Sequence, residues 1–123
     1  MQAKLAHTMI RVRDLDKSLD FYTGFLGMRE VRRSSIGEEA TLVFLADHTQ
    51  TYFIELTYNH DGRDYKLGSQ FGHLAFQVDD LELVIEEVKK RGWWYRESKP
   101  STVSRYIFVH DPDGYDIEIL QAR

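Results

Sequence analysis

The sequence predicts an α+β fold made of two copies of a βαβββ module, about residues 1–62 and 70–123 of a single 123-residue domain. The first observation behind this is an internal repeat. The segments "HTMIRVRDLDKSLDFYTGFLGM" from His7 and "HLAFQVDDLELVIEEVKKRGWW" from His73 share a His, a Val five residues on (Val12, Val78), an Asp at seven (Asp14, Asp80) and a Leu at eight (Leu15, Leu81). The second is a change of period: strand-like alternation before each Asp gives way to apolar residues at three- and four-residue steps after it. The third is size. A module of about 60 residues buries too little surface to be comfortably stable alone, so two must pack together, within one chain or between two.

The elements follow in order. On the first strand Ala6, Thr8, Ile10 and Val12 alternate with His7, Met9 and Arg11, and the apolar set should meet a helix. Asp14 is placed to cap that helix by accepting hydrogen bonds from its first unpaired amides. Leu15, Leu19, Tyr22 and Leu26 mark its apolar stripe, and Gly27 stops it. Three strands follow, "REVRRSS", "ATLVFLA" and "TYFIELTY", the last two joined by the turn "ADHTQ". After a linker around "YNHDGRDYKLGSQFG", Leu74, Phe76 and Val78 alternate with His73, Ala75 and Gln77. Asp80 caps a second helix marked by Leu81, Val84, Ile85 and Val88 and stopped by Gly92, and the strands "WWYRE", "RYIFVH" and "YDIEIL" complete the module. The turn "HDPDGY" separates the last two, with Pro and Gly punctuating the reversal.

Composition excludes several classes. The hydrophobic fraction is 42% with 13% aromatics, enough for a packed core. Sixteen basic and twenty acidic residues are interleaved for a net charge of -4, which offers no footprint for nucleic acid or an anionic membrane. The absence of cysteine excludes disulfides, thiolate metal sites and a cysteine nucleophile. No apolar run approaches a membrane span, and the N-terminus lacks a signal-peptide core, so a cytoplasmic protein is expected.

A chemical site emerges from the repeat. Glu55, in "YFIELTY", and Glu118, in "YDIEIL", each sit between aliphatic residues on the last strand of a module. The two glutamates are separated in sequence by nearly the same interval as His7 and His73. Alone, a strand His or a mid-strand Glu reads as an ordinary surface residue. At equivalent places in two repeats, the four read as one design. Alternation puts His7, Arg11, His73, Gln77, Glu55, Thr57, Asn59, Asp116 and Glu118 on the open faces, away from the helices. Two imidazoles and two carboxylates suit a divalent metal of borderline hardness such as Ni, Co, Fe, Mn or Zn. In an octahedral shell they leave two positions for water or substrate, and the metal then serves as a Lewis acid. His48, His60 and His110 have no repeat partner, lie in or beside turns, and read as solvated. The "EEVKKR" charges read as the wet face of the second helix. Of Trp93 and Trp94, one ring should enter the core and the other face an interface or cavity.

The segments "HTMIRVRDLDKSLDFYTGFLGM", "FIELTYN", "GHLAFQVDD" and "DPDGYDIEIL" resemble glyoxalase I, the lactoylglutathione lyases of the vicinal oxygen chelate superfamily, from Leu5 to Leu120. "ELTYN" followed by "LG…GHLAF" is the most specific part. The resemblance implies paired βαβββ modules whose curved mixed sheets cup a metal, in a homodimer with sites at the interface. It also implies that His7, Glu55, His73 and Glu118 are the metal ligands, Glu118 the catalytic base with Glu55 its symmetric partner, and Arg11 and Asn59 the holders of the thiol cofactor's carboxylate. The compact chain resembles the class activated by Ni2+ or Co2+ rather than Zn2+. The implied substrate is the hemithioacetal of methylglyoxal and glutathione, isomerised to S-D-lactoylglutathione. One stretch departs from the family pattern: "ESKPSTVSRY" is short and has no glycine where a Gly- and Lys-containing loop is usual, so the thiol it accepts is open. Lys99 and Arg105 are its candidates for an anionic cofactor. Two alternatives use the same fold, a coenzyme A thioester epimerase and a non-catalytic small-molecule binding or resistance protein. The matched Glu55 and Glu118 argue against both.

Overall fold

A computed structural model describes residues 1–100 and 103–123 of the chain. The chain divides into two compact units, Met1–Tyr65 and Lys66–Arg123. Unit 1 contains β1 (Thr8–Arg11), α1 (Leu15–Leu19), β2 (Arg29–Ile36), β3 (Ala40–Ala46) and β4 (Phe53–Asn59). Unit 2 contains β5 (Leu74–Val78), α2 (Leu81–Arg91), β6 (Tyr95–Glu97), β7 (Tyr106–His110) and β8 (Asp116–Gln121). Each unit forms a four-stranded mixed sheet, in the order β1-β4-β3-β2 and β5-β8-β7-β6. β1 runs parallel to β4, and β5 to β8, while the remaining pairs are antiparallel. The repeat in sequence is therefore a repeat in topology. No helix among the described residues is long and apolar enough to cross a membrane.

Both predicted caps form. Asp14 accepts from the amide of Lys17 at 3.1 Å, and Asp80 from those of Glu82 at 3.1 Å and Leu83 at 3.4 Å. Gly92 adopts φ +70, left-handed backbone that a side chain would strain, and the Trp93 amide bonds back to the Val88 carbonyl at 3.1 Å. That closure delays β6 to Tyr95, past the predicted start at Trp93. β4 begins at Phe53 for a similar reason. The Asp47 carboxylate accepts from the amides of Thr49 at 3.0 Å and Gln50 at 3.1 Å, which holds the chain in a turn.

The first helix departs most from expectation. It is α-helical only to Leu19 and continues as a π-helix over Asp20–Phe25. The Leu26 amide reaches back to the Phe21 carbonyl at 3.0 Å, and the Thr23 hydroxyl takes the Leu19 carbonyl at 2.5 Å. The wider turn accompanies burial of two adjacent rings, Phe21 and Tyr22. Ser18, Phe21 and Tyr22 are thus buried, while Leu15, Leu19 and Leu26 of the predicted stripe are only half-buried. The second stripe holds better, with Leu81, Ile85 and Val88 all buried, as are Ile117 and Ile119 of the same unit.

Candidate functional site

In unit 1, His7 stands one residue before β1, and parallel pairing of Met9 with Glu55 brings its imidazole beside β4. His7 Nε2 lies 3.1 Å from Glu55 Oε1. Phe44 sits directly across from Glu55 on β3, its ring perpendicular to the His7 ring with centroids 5.4 Å apart. Arg32, across from Phe44 on β2, places its guanidinium carbon 4.1 Å from the Phe44 ring centre.

Unit 2 repeats the set. His73, one residue before β5, has Nε2 3.4 Å from Glu118 Oε1. Phe108 pairs with Glu118 and meets the His73 ring at 5.0 Å and 89°. Arg96 pairs with Phe108, its guanidinium carbon 5.0 Å from the ring centre. Sequence reasoning reaches the His and Glu residues but misses the Phe and Arg. Their signal is present, since Phe44 and Phe108 stand at the same spacing as Arg32 and Arg96, within a residue of that between the glutamates. Each row is a cation stacked on a ring that flanks an imidazole beside a carboxylate.

The geometry of each pair fits a shared cation. Two ligands at right angles, each roughly 2.1 Å from one ion, stand about 3 Å apart, close to the observed N–O separations. Each unit brings one such His–Glu pair together. Among the described residues no group of three or more His, Cys, Asp or Glu side chains comes together.

The two pairs differ in surroundings. On the face predicted to be open, Phe44, Ala46, Glu55 and Thr57 of unit 1 are buried, with Glu55 8% exposed, while His7, Met9 and Arg11 of the same face stay exposed. With Phe44 across from it and Thr57 beside it, Glu55 is not the wet residue that its alternation alone would allow. Its other oxygen, Oε2, accepts a 2.5 Å hydrogen bond from the Thr57 hydroxyl. In unit 2, Phe108, Glu118 and Leu120 are only half-buried.

Arg11 ends β1 opposite Thr57, and Asn59 ends β4, both on the alternation face of Glu55. The Asn59 amide donates to the Tyr65 hydroxyl at 2.6 Å. Asn59, Arg13, Arg63 and Tyr65 line a cavity of about 340 Å³. Arg13 is committed there to the Asp64 carboxylate at 3.2 Å and the Tyr65 carbonyl at 2.5 Å.

Other expectations are corrected. Arg105 is engaged by the carboxylates of Glu82 and Glu97, whose hydrogen bonds raise its pKa, so it is not a cation waiting for a ligand. Of the short loop, Ser101 and Thr102 lie outside the described residues. His60 is not merely solvated: its ring nitrogens meet the Thr41 hydroxyl and the Glu38 carbonyl, each at 2.8 Å. His110 pairs with Asp116 at 3.0 Å and stacks on Trp94 at 4.2 Å between ring centres. Neither tryptophan enters a core. Trp94 is 50% exposed, and Trp93 is half-buried beneath the Arg91 guanidinium.

Comparison with known families places the chain. The model of the "Glyoxalase/Bleomycin resistance protein/Dioxygenase superfamily" matches residues 4–119, and the chain belongs to that superfamily. It is 44% identical to a lactoylglutathione lyase of Neisseria meningitidis serogroup A, over 98% of this chain and 91% of the other. It is 40% identical to the lactoylglutathione lyase of Escherichia coli O157:H7, over 98% and 93%. The solved structure of Leishmania major glyoxalase I, described as trypanothione-dependent, aligns with TM-score 0.83 and 37% identity over 98% of this chain and 87% of that one. Within the superfamily, its family is that of the lactoylglutathione lyases, or glyoxalase I.

Proposed function

We propose that this chain is a metal-dependent lactoylglutathione lyase, converting the methylglyoxal–glutathione hemithioacetal to S-D-lactoylglutathione in the cytoplasm. The observation that carries the reading is the repeated His–Glu pair, His7–Glu55 at 3.1 Å and His73–Glu118 at 3.4 Å, in a chain 44% identical to an enzyme of that name. The two pairs together make one ligand set of two imidazoles and two carboxylates. Because each unit brings only half of the set, we place the complete site in a homodimer, where unit 1 of one copy meets unit 2 of the other. The metal of choice is Ni2+, with Co2+ able to replace it and Zn2+ less effective. When bound, the divalent ion supplies Lewis acidity that stabilises negative charge developing on the substrate's oxygens.

The protein's own residues do the rest. Arg11 and Asn59 hold a carboxylate of the thiol carrier, Arg11 standing one pleat repeat, roughly 7 Å, beyond Glu55 along the sheet. Glu118 takes the carbon-bound proton next to the sulfur and returns a proton to the neighbouring carbon, which yields the thioester. Glu55 is its symmetric partner for the opposite stereochemistry. Glutathione is the carrier that the names of the bacterial relatives support, while the Leishmania major enzyme's dependence on trypanothione marks the thiol as the variable feature of the family.

The test is thioester formation from methylglyoxal and glutathione, followed in the ultraviolet, with protein stripped of metal and reloaded with nickel, cobalt or zinc. Strong turnover with nickel or cobalt and little with zinc is expected. Absence of turnover with every metal would overturn the reading.

A further inference from the structure

The two carboxylates are equivalent by repeat but not by environment. Both oxygens of Glu55 are committed: Oε1 faces His7 Nε2 at 3.1 Å, and Oε2 accepts the Thr57 hydroxyl at 2.5 Å. Glu55 and Thr57 are 8% and 7% exposed, so little water competes for that bond. The residue that stands to Glu118 as Thr57 stands to Glu55 is Leu120, two positions on along the same strand. A leucine side chain has no donor. Among the described residues only His73 meets the Glu118 carboxylate, at 3.4 Å and through Oε1. The repeat thus keeps His, Phe, Arg and Glu and changes the one neighbour that fixes the carboxylate.

We infer that Thr57 is a positioning residue whose hydroxyl favours metal ligation by Glu55 and thereby makes Glu118 the principal base, with Glu55 serving only the opposite stereochemistry. The inference rests on the proposed metal-dependent isomerase and adds to it the reason for a division of labour between two repeated glutamates. A carboxylate that must collect a proton from carbon, and release it one carbon further on, has to reorient between two positions. A buried carboxylate pinned by a charge-assisted hydrogen bond can do so only by breaking that bond in a water-poor site. The carboxylate beside Leu120 has no such restraint. The same pinning benefits a ligand, because an oriented carboxylate loses less freedom on binding a cation, and groups that orient ligands in this way are typically worth about 10- to 100-fold in metal affinity.

Three variants test this, each read by metal titration of the stripped protein and by turnover of the reloaded one. Thr57→Val is expected to weaken nickel binding about tenfold, and Thr57→Ser, which keeps the hydroxyl, to restore it. In a Glu118→Gln background, Thr57→Val is expected to raise the residual turnover several-fold, because it frees Glu55; a purely structural role for Thr57 would lower it or leave it alone. Leu120→Thr, which installs the same donor beside Glu118, is expected to lower turnover without weakening nickel binding. If Thr57→Val proves poorly folded by circular dichroism, Thr57→Ser and Leu120→Thr still decide the matter. Unchanged metal affinity in Thr57→Val, no gain in the double variant, or full turnover in Leu120→Thr would each overturn the inference. Failure of the isomerase reading looks different: the native loaded protein makes no thioester, while the titrations still report on Thr57.

Discussion

Unit 1 and unit 2 hold the same four-residue arrangement in different settings. Beside Glu55 a hydroxyl fixes the second oxygen; beside Glu118, which is only slightly more exposed, a leucine stands where the hydroxyl was. Duplication preserved what a metal needs from each unit, an Nε2 and a carboxylate oxygen about a ligand edge apart. It did not preserve the neighbour two positions beyond each glutamate, Thr57 in one unit and Leu120 in the other. On the proposed reading the ligand set and the proton-transfer role are separable, the second depending on the residue beside each glutamate.

Breaking the comparison should have its largest effect at the carboxylates themselves. Glu118→Gln should lower kcat about 10³-fold, within the range typical of general bases, even with nickel at saturation. Glu55→Gln should act chiefly on metal affinity, so that added nickel recovers part of its turnover. Kinetics at rising nickel concentration separate the two, and equal recovery in both variants would erase the distinction.

The stacked cations sharpen the comparison at a smaller scale. Arg32 lies 4.1 Å from its ring centre and Arg96 lies 5.0 Å from its own. Arg32→Ala should destabilise the protein by about 0.5–1 kcal/mol in urea unfolding, and Arg96→Ala by less. The helix caps give a similar ordering in the other direction. Asp80 accepts two amides and Asp14 one, so Asp80→Ala should cost about 1 kcal/mol and Asp14→Ala somewhat less.

The smallest effect expected is one of pH. Asp47 at the β3–β4 turn and Asp111 at the β7–β8 turn occupy equivalent places in the two units, and each accepts the amide two positions on. The Thr49 hydroxyl, followed by the Thr49 and Gln50 amides, holds the Asp47 carboxyl below its ordinary value. A carboxyl lowered in the folded state contributes stability above its unfolded pKa and loses it as pH falls through the folded one. The stability gap between native protein and Asp47→Ala should therefore be fully present at neutral pH and close in acid, below about pH 4. Paired thermal melts across that range would detect it.

Much of this was legible in the sequence because duplication wrote it twice. The His at the head of each module, the Asp caps, the Gly stops and the mid-strand Glu all recur at nearly one offset, and the strand order follows from two copies of one module. What was not legible depended on partners from other strands. Phe44 and Arg32 acquire meaning only through the register that sets them across from Glu55 and Phe44. The burial of Glu55 could not be read from alternation, which distinguishes two faces but not whether the second is covered. The π-helical turn after Leu19 was invisible for a local reason, since the choice of Phe21 as the acceptor for the Leu26 amide leaves no mark on apolar spacing.

In the proposed homodimer the two His–Glu pairs, one from each copy, are halves of one metal site. Metal content of stripped and reloaded protein, measured by mass spectrometry beside His7→Ala and His73→Ala, tests it most directly. One shared ligand set gives about one nickel ion per chain in the native protein and loss of nearly all of it in either single variant. Two nickel ions per chain, with each variant retaining half, would mean that the pairs bind separately and would contradict the claim.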